Sequence, residues 1–237
     1  MLDLQELDAK ADQLRHQRSH LPELAEIAEL RTTRTDLDNR ARDAQIVVDD
    51  LTEEQTKIDA DVEQGRTRRT RDQERVDQGL IANPKDLQHM LSELESLQRR
   101  ITTLEDQELE VMEQVETAQR ELNALTSQVT AADERLATLT ESRDEKTGTF
   151  DRELDAVAAE REPIVAGLPA DLLALYEKLR VLKGGVGAAP LRARQCGGCQ
   201  LALDPAELAQ IKAAGSDEVI RCEECQRILV RTHESGL

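Results

Sequence analysis

Apolar residues recur in alternating steps of three and four from Leu87 onward. Met90, Leu94, Leu97, Ile101, Leu104, Val111, Val115, Ala118, Leu122, Leu125, Val129, Ala132, Leu136 and Leu139 hold the pattern, and only Glu108 breaks it. An apolar position every 3.5 residues keeps one seam of a helix turned toward a partner helix. The other faces carry Glu, Gln, Arg, Asp, Ser and Thr, so this is a long solvated coiled-coil helix and not a membrane span. Upstream, Leu4, Leu7, Ala11 and Leu14 predict a short amphipathic helix that ends near Ser19 to Pro22. Proline suits a first helical turn, so Pro22 starts or kinks the next helix. There Leu30, Leu37, Ala41, Ala44, Val48, Leu51, Ile58 and Val62 keep a seam, with Arg34 and Gln55 as polar members, to about Gln78.

Gly79 to Asn83 interrupts the pattern, and Asn83-Pro84-Lys85-Asp86 restarts it with an N-cap, a proline at the first helical position and an acid near the positive helix end. So short a loop makes the flanking helices antiparallel. Folding the chain about residue 81 places Val76 opposite Leu87, Val62 opposite Ile101 and Val48 opposite Val115. It also sets Pro22 near Glu141, where the second strand falters through Ser142 to Gly148, and a bend is expected near 19–22 and 142–148. The first helix then lies along Phe150, Leu154 and Val157. At ~1.5 Å per residue the straight part would extend roughly 80 Å.

Composition narrows the class. With one Tyr, one Phe and no Trp the chain cannot build a thick globular core, and its 34% charged and 38% hydrophobic residues suit long helices. Net charge is -18, and the acidic excess lies almost wholly at or before Lys183, with 25 basic against 42 acidic residues. Such a body repels nucleic acid except through a local basic patch. The N-terminus has neither the basic region nor the apolar run of a secretion signal, so a cytoplasmic protein with no membrane contact is expected.

Pro163, Gly167 and Pro169 close the hairpin, and Asp171 to Leu182 reads as a short helix. The following Lys183-Gly184-Gly185 places lysine before the glycines, opposite to a phosphate loop, and reads as linker through Ala189. Cys196-Gly197-Gly198-Cys199 and Cys222-Glu223-Glu224-Cys225 are the only cysteines. Two C-x-x-C pairs at this spacing match a four-thiolate zinc site in which each pair forms a knuckle. A redox dithiol needs only one pair, and structural disulfides do not suit a cytoplasmic chain. One zinc ion is expected; four protein ligands leave no position for an activated water, so its role is structural. Leu191 to Arg194 and Val219 to Arg221 read as strands entering the knuckles, Ile228 to Val230 as a strand leaving one, and Asp204-Pro205-Ala206-Glu207 as a capping box opening a helix that ends at Gly215.

The architecture is therefore mostly α: an antiparallel coiled-coil hairpin over 1–162 with its tip at 79–84, a short helix and glycine-rich linker over 163–189, and a small α+β zinc ribbon over 190–237. Through Asn83-Pro84-Lys85-Asp86-Leu87, Cys196-x-x-Cys199, and Cys222-x-x-Cys225 with Arg227-Ile228-Leu229, the chain resembles the bacterial coiled-coil plus four-cysteine zinc-ribbon family. That family includes a flagellar-biogenesis protein of epsilonproteobacteria. The family usually has glycine after the second pair, where this chain has Gln226. The resemblance implies a hairpin with a ribbon at its open end, and binding to RNA or to a transcription factor; nothing in the chain itself indicates a flagellar role.

Three surfaces are candidates for partner contact. Arg66, Arg68, Arg69, Arg71 and Arg75 give Gln64 to Val76 a net +3 in an acidic chain. At the tip Gly65, Arg69 and Asp72 would face Leu97, Leu94 and Leu91, leaving Leu87, Met90, Leu91 and Leu94 as a docking or self-association patch. On the ribbon, Arg192, Arg194, Arg221, Arg227 and Arg231 could line a sheet face, though no aromatic residue is there to stack bases. No nucleophile or acid-base pair is evident, so a non-enzymatic adaptor with a protein partner is the leading expectation. A nucleic-acid or transcription-associated regulator and a purely structural spacer are the alternatives.

Overall fold

The computed structural model describes all 237 residues. Helices α1 (Leu2–Ser19), α2 (Pro22–Asp77), α3 (Pro84–Ala166) and α4 (Ala170–Leu182) precede strands β1 (Ala188–Arg192) and β2 (Gln195–Cys196), helix α5 (Pro205–Ala213) and strand β3 (Ile228–Val230). By contact the chain divides into two compact units, Glu26–Leu139 and Met1–Ala25 with Thr140–Leu237.

The first unit is the seam of two helices. Ile27, Leu37, Val48 and Val62 of α2 and Leu94, Ile101, Val111, Leu122, Leu125, Ala132 and Leu139 of α3 are buried, as the heptad spacing predicts. Ion pairs cross between the helices: Arg34 Nε to Asp133 at 3.0 Å, Arg66 Nη2 to Glu105 at 2.7 Å, and Arg68 to Glu93. The tip is built as its residues dictate. Gly79 takes φ 65°, which lets its own N–H and that of Leu80 close onto the Val76 and Arg75 carbonyls. Asn83 Oδ1 accepts from the Lys85 N–H at 3.0 Å and so caps α3.

Near the tip Gly65 lets the two helices approach closely. Ile101 lies over Gly65, where a Cβ would meet its Cγ1 at 3.0 Å, and Leu97 borders the same recess. Asp72, at a seam position, is 3% exposed, with Arg71 Nη2 at 3.2 Å and Arg68 Nε at 3.7 Å from its carboxylate. The expected patch is accordingly smaller. Leu94 is buried and unavailable, Leu87 and Met90 are half-buried, and Leu91 at 46% is the one member fully open to solvent.

The seam break at Glu108 is occupied by a second acid. Half-burial first, and then the facing Asp59 carboxyl, hold Glu108 above the usual carboxylate range. A group whose pKa rises on folding contributes stability below its unfolded pKa and loses it as pH climbs through the raised value. Glu108 therefore contributes a fall in melting temperature across a window starting at the ordinary glutamate pKa, against the rise contributed by Glu23, which Lys146 holds low. Glu108→Leu should melt higher at neutral pH and lose that part of the pH dependence, as read by circular dichroism.

In the second unit α1 packs along α3, with Ala11, Leu14 and Val157 buried among Leu7, Phe150 and Leu154. α3 itself runs through Ser142 to Gly148 without interruption, so only the first strand of the hairpin breaks there, at His20 and Leu21. It also continues past residue 162 through Pro163 to Ala166. Glu23 at the start of α2 accepts from Ser142 Oγ at 3.1 Å and from Lys146 Nζ, and is buried.

A three-stranded sheet ordered β2-β1-β3 carries the ribbon, β1 pairing antiparallel with β2 and parallel with β3. Two of the expected strands are redrawn. Strand β1 starts at Ala188, inside the expected linker, and ends at Arg192, because Ala193 and Arg194 turn through φ 47° and 63°. Val219 to Arg221 contributes only the bridge between Arg221 and Ile228.

Candidate metal centre

The first knuckle opens on β2 and the second closes into β3, so the sheet sets both. Gly197 and Gly198 are required by close approach: a Cβ on Gly197 would sit 3.0 Å from Pro190, and one on Gly198 2.6 Å from Arg227 Cδ. Each knuckle ends on a glutamine in the left-handed region, Gln200 at φ 62° and Gln226 at φ 64°. Gln226 therefore adopts a left-handed conformation that glycine takes most readily, and its side-chain amide donates to the Glu223 carbonyl at 2.8 Å. The backbone N–H of each glutamine donates to the carbonyl of the first cysteine of its knuckle, 2.7 Å to Cys196 and 2.8 Å to Cys222.

Helix α5 braces the second knuckle. Asp204 Oδ1 caps it by accepting from the Ala206 N–H at 2.7 Å. Only that half of the expected capping box forms, because the buried Glu207 carboxylate accepts instead from the Glu223 N–H at 3.1 Å. Cys196 and Cys222 are buried in the ribbon core with Ala189, Leu191, Leu203, Ile211 and Leu229, while Cys199 and Cys225 are half-buried beside it.

The four sulfurs lie within 4.8 Å of one another. Cys196 Sγ is 3.8 Å from Cys225 Sγ, and Cys199 Sγ is 3.9 Å from Cys222 Sγ. Four sulfurs at ~2.3 Å from a tetrahedral zinc would be separated by about 3.8 Å, whereas a disulfide requires about 2.0 Å. The cysteines thus fit a zinc ion and not a pair of disulfides. Burial pushes the Cys196 thiol up and the Cys222 thiol up to about 12. At Cys225 burial acts in the same sense, but the backbone N–H and guanidinium of Arg227 and the neighbouring thiols outweigh it and bring the thiol down to about 7. Zinc binding displaces the remaining protons, and the ion would supply cross-linking and no open coordination position.

A family model described as a CT398-like coiled coil hairpin domain matches residues 4–184, and one described as a C4-type zinc ribbon domain matches residues 195–229. The chain belongs to the CT398-like coiled-coil hairpin family. A Mycobacterium tuberculosis relative is 33% identical over 231 residues, covering 98% of this chain and 94% of its own. A solved Mycobacterium smegmatis structure is also 33% identical, with TM-score 0.81 over 97% of this chain and 94% of that one. CT398 of Chlamydia trachomatis shares the fold at 19% identity, with TM-score 0.68 over 98% of this chain and 95% of the other. The match spans both parts that the sequence implied, the hairpin and the ribbon.

The ribbon arginines are engaged within the chain. Arg192 pairs with Glu234 at 2.6 Å, Arg194 Nε donates to the Gly236 carbonyl, and Arg221 Nε to that of Gln226. Arg227 donates to the carbonyls of Val186 and Lys183, and Arg231 to those of Ile211, Ala214 and Gly215 at the end of α5. Arg227 and Arg231 thereby fasten the ribbon's loops from half-buried positions, while Arg192, Arg194 and Arg221 hold their single partners at the surface. Around the tip, Arg66, Arg68 and Arg71 are paired with acids, while Arg69 and Arg75 have no ion pair.

Gln5 and Asp8 carry no signature in the sequence. Gln5 Oε1 accepts from the N–H groups of Gly187 at 2.7 Å and Ala188 at 3.2 Å, and its Nε2 donates to the Gly185 carbonyl at 2.9 Å. Asp8, 3% exposed, accepts from Tyr176 Oη at 2.8 Å and Arg161 Nε at 2.8 Å, with Arg180 Nη1 at 3.7 Å. The glycine run is therefore not a phosphate loop. Its polar groups are taken by Gln5, and a Cβ on Gly187 would collide with the Tyr176 carbonyl at 2.7 Å. No helix of the chain is long and apolar enough to cross a membrane.

Proposed function

We propose that the chain is a non-enzymatic zinc-binding adaptor of the cytoplasm whose ribbon contacts another protein. The observation that carries this reading is the combination of a closed four-sulfur site with ribbon arginines committed to internal carbonyls and to Glu234. A closed site offers no position for substrate activation, and the committed arginines make a poor phosphate-binding row. Open apolar side chains flank the knuckles: Leu201 follows the first at 51% exposure and Val219 precedes the second at 44%. Solvent-exposed aliphatic residues beside a rigid metal-held loop suit the apolar centre of a protein contact. The hairpin, on this reading, is a structural arm.

Capture from lysate with the native chain and with a Leu201→Asp, Val219→Asp variant of unchanged zinc content tests this. The expected result is at least one stoichiometric protein retained by the native chain and lost from the variant. The same baits probed with labelled RNA and DNA at low salt should retain neither. Salt-sensitive retention that is lost on Arg69→Glu and Arg75→Glu would support the nucleic-acid reading and contradict this one.

A further inference from the structure

One flank of α2 is its own electrostatic complement. In the heptads of α2 one edge, beside the seam, carries Asp43, Asp50 and Lys57 and then, past residue 59, Asp61, Arg68 and Arg75, all exposed. Two such helices laid antiparallel about residue 59 would set Asp43 against Arg75, Asp50 against Arg68 and Lys57 against Asp61. By two-fold symmetry each pair would occur twice. The same alignment sets Val47, 49% exposed, against Arg71, whose aliphatic stem can cover it. No like charges meet along this edge. The opposite edge has no such order, since the alignment there puts Asp59 against Asp59.

Within a single chain these groups are largely unused. Asp43, Asp50, Asp61 and Arg75 make no ion pair, Lys57 pairs only with its helical neighbour Glu53, and Arg68 with Glu93 and Asp72. The flank is also hollowed at two places along the strip. Arg40, Asp43 and Val47 line one recess with Ala118 and Glu121, of about 270 Å³. Asp61, Gln64 and Arg68 line another with Arg100 over the Gly65 gap, of about 240 Å³. We infer that this edge of α2 is a homodimer interface in which two copies pair antiparallel about residue 59. A nucleic acid does not fit the strip, because half of it is acidic and would repel phosphate. The inference does not depend on the adaptor reading, which concerns the ribbon.

Sedimentation velocity of the full zinc-loaded chain over rising concentration should show a monomer giving way to a dimer. Asp43→Arg with Asp50→Arg, and separately Arg68→Asp with Arg75→Asp, should each weaken that dimer by about tenfold or more, while Asp49→Arg on the opposite edge should not. Mixing the two reversed variants recreates all the Asp–Arg contacts, so a heterodimer should form as readily as the native dimer. As a measurement on the unaltered chain, zero-length carbodiimide coupling of a mixture of isotopically heavy and light copies should join Lys57 of one copy to Asp61 of the other. A native chain that stays monomeric to its solubility limit would overturn the inference. So would reversed variants that still dimerise alone, a mixture that fails to pair, or heavy–light coupling confined to other residues.

Discussion

Replacing Cys222 with serine, or stripping zinc with a chelator, is expected to unfold the ribbon while the helical segment Glu26–Leu139 keeps its signal. Two of the seven buried residues of the ribbon core are themselves the ligands Cys196 and Cys222. Its strands are five, two and three residues long, and helix α5 spans nine. So little burial cannot offset the entropy of ordering the segment, and zinc binding, worth on the order of 10 kcal/mol, supplies the difference. Loss of the ribbon also removes Ala188 and Ile228 from the cluster around Leu4, Tyr176 and Leu179. Limited tryptic digestion should then cut at Arg192, Arg194 and Arg221, which the folded ribbon ties down. Far-ultraviolet circular dichroism should fall only by the share of α5 and the loosened part of α1.

The second large effect is expected at Asp8. Its carboxylate is the acceptor shared by Tyr176 Oη and Arg161 Nε, with Arg180 alongside, and Arg161 and Arg180 also reach Glu177. Burial first, and then the Asp8 carboxylate, hold the Tyr176 hydroxyl protonated far above the usual phenol range. Asp8→Ala removes the acceptor and leaves the tyrosine hydroxyl and part of two guanidinium charges unmatched in a poorly solvated site. Because Arg161 keeps Glu177 and Arg180 keeps Asp12 and Glu177, and both guanidiniums are partly exposed, the cost should be about 2–3 kcal/mol, below that of a fully buried pair broken outright. Tyr176→Phe, which removes only one hydrogen bond, should cost about 1–2 kcal/mol. Urea denaturation followed at the ribbon and at the helices separates the two. Asp8→Ala should shift the midpoint of the unit that contains α1 and the ribbon, and leave that of Glu26–Leu139 in place.

The contrast between these two sites explains what a reader of the sequence can and cannot see. The cysteine ligands announce themselves because two short spacings encode two knuckles, and the hairpin because its apolar period persists for heptad after heptad. Asn83 and Pro84 mark the tip for the same reason: capping is local chemistry. Gln5, Asp8 and Glu207 act on partners brought near only by folding, Asp8 on Tyr176 and Gln5 on Gly187 across most of the chain. No period or spacing records such a contact. The one trace was a polar residue, Asp8, on the helix face that otherwise carries Leu4, Ala11 and Leu14.

The redrawn details have physical causes of the same kind. Asp72 is a mismatch by heptad position, but Arg68 and Arg71 on its own helix fold over the carboxylate and let it be buried. Gly65 permits Ile101 to sink against the backbone of α2, a close approach that heptad positions alone do not encode. The ribbon arginines looked like a binding row in a list of charges. In three dimensions the chain offers carbonyls at loop and helix ends, and arginine, with five donors in a planar fork, satisfies several at once.

On this account four thiolates close around one zinc ion and thereby fold the ribbon. Metal content per chain, measured by mass spectrometry on the purified native protein and on Cys196→Ser and Cys222→Ser variants, tests it most directly. One zinc per native chain, with loss from both variants, is the expected result; native protein without zinc, or variants that retain a full equivalent, would contradict it.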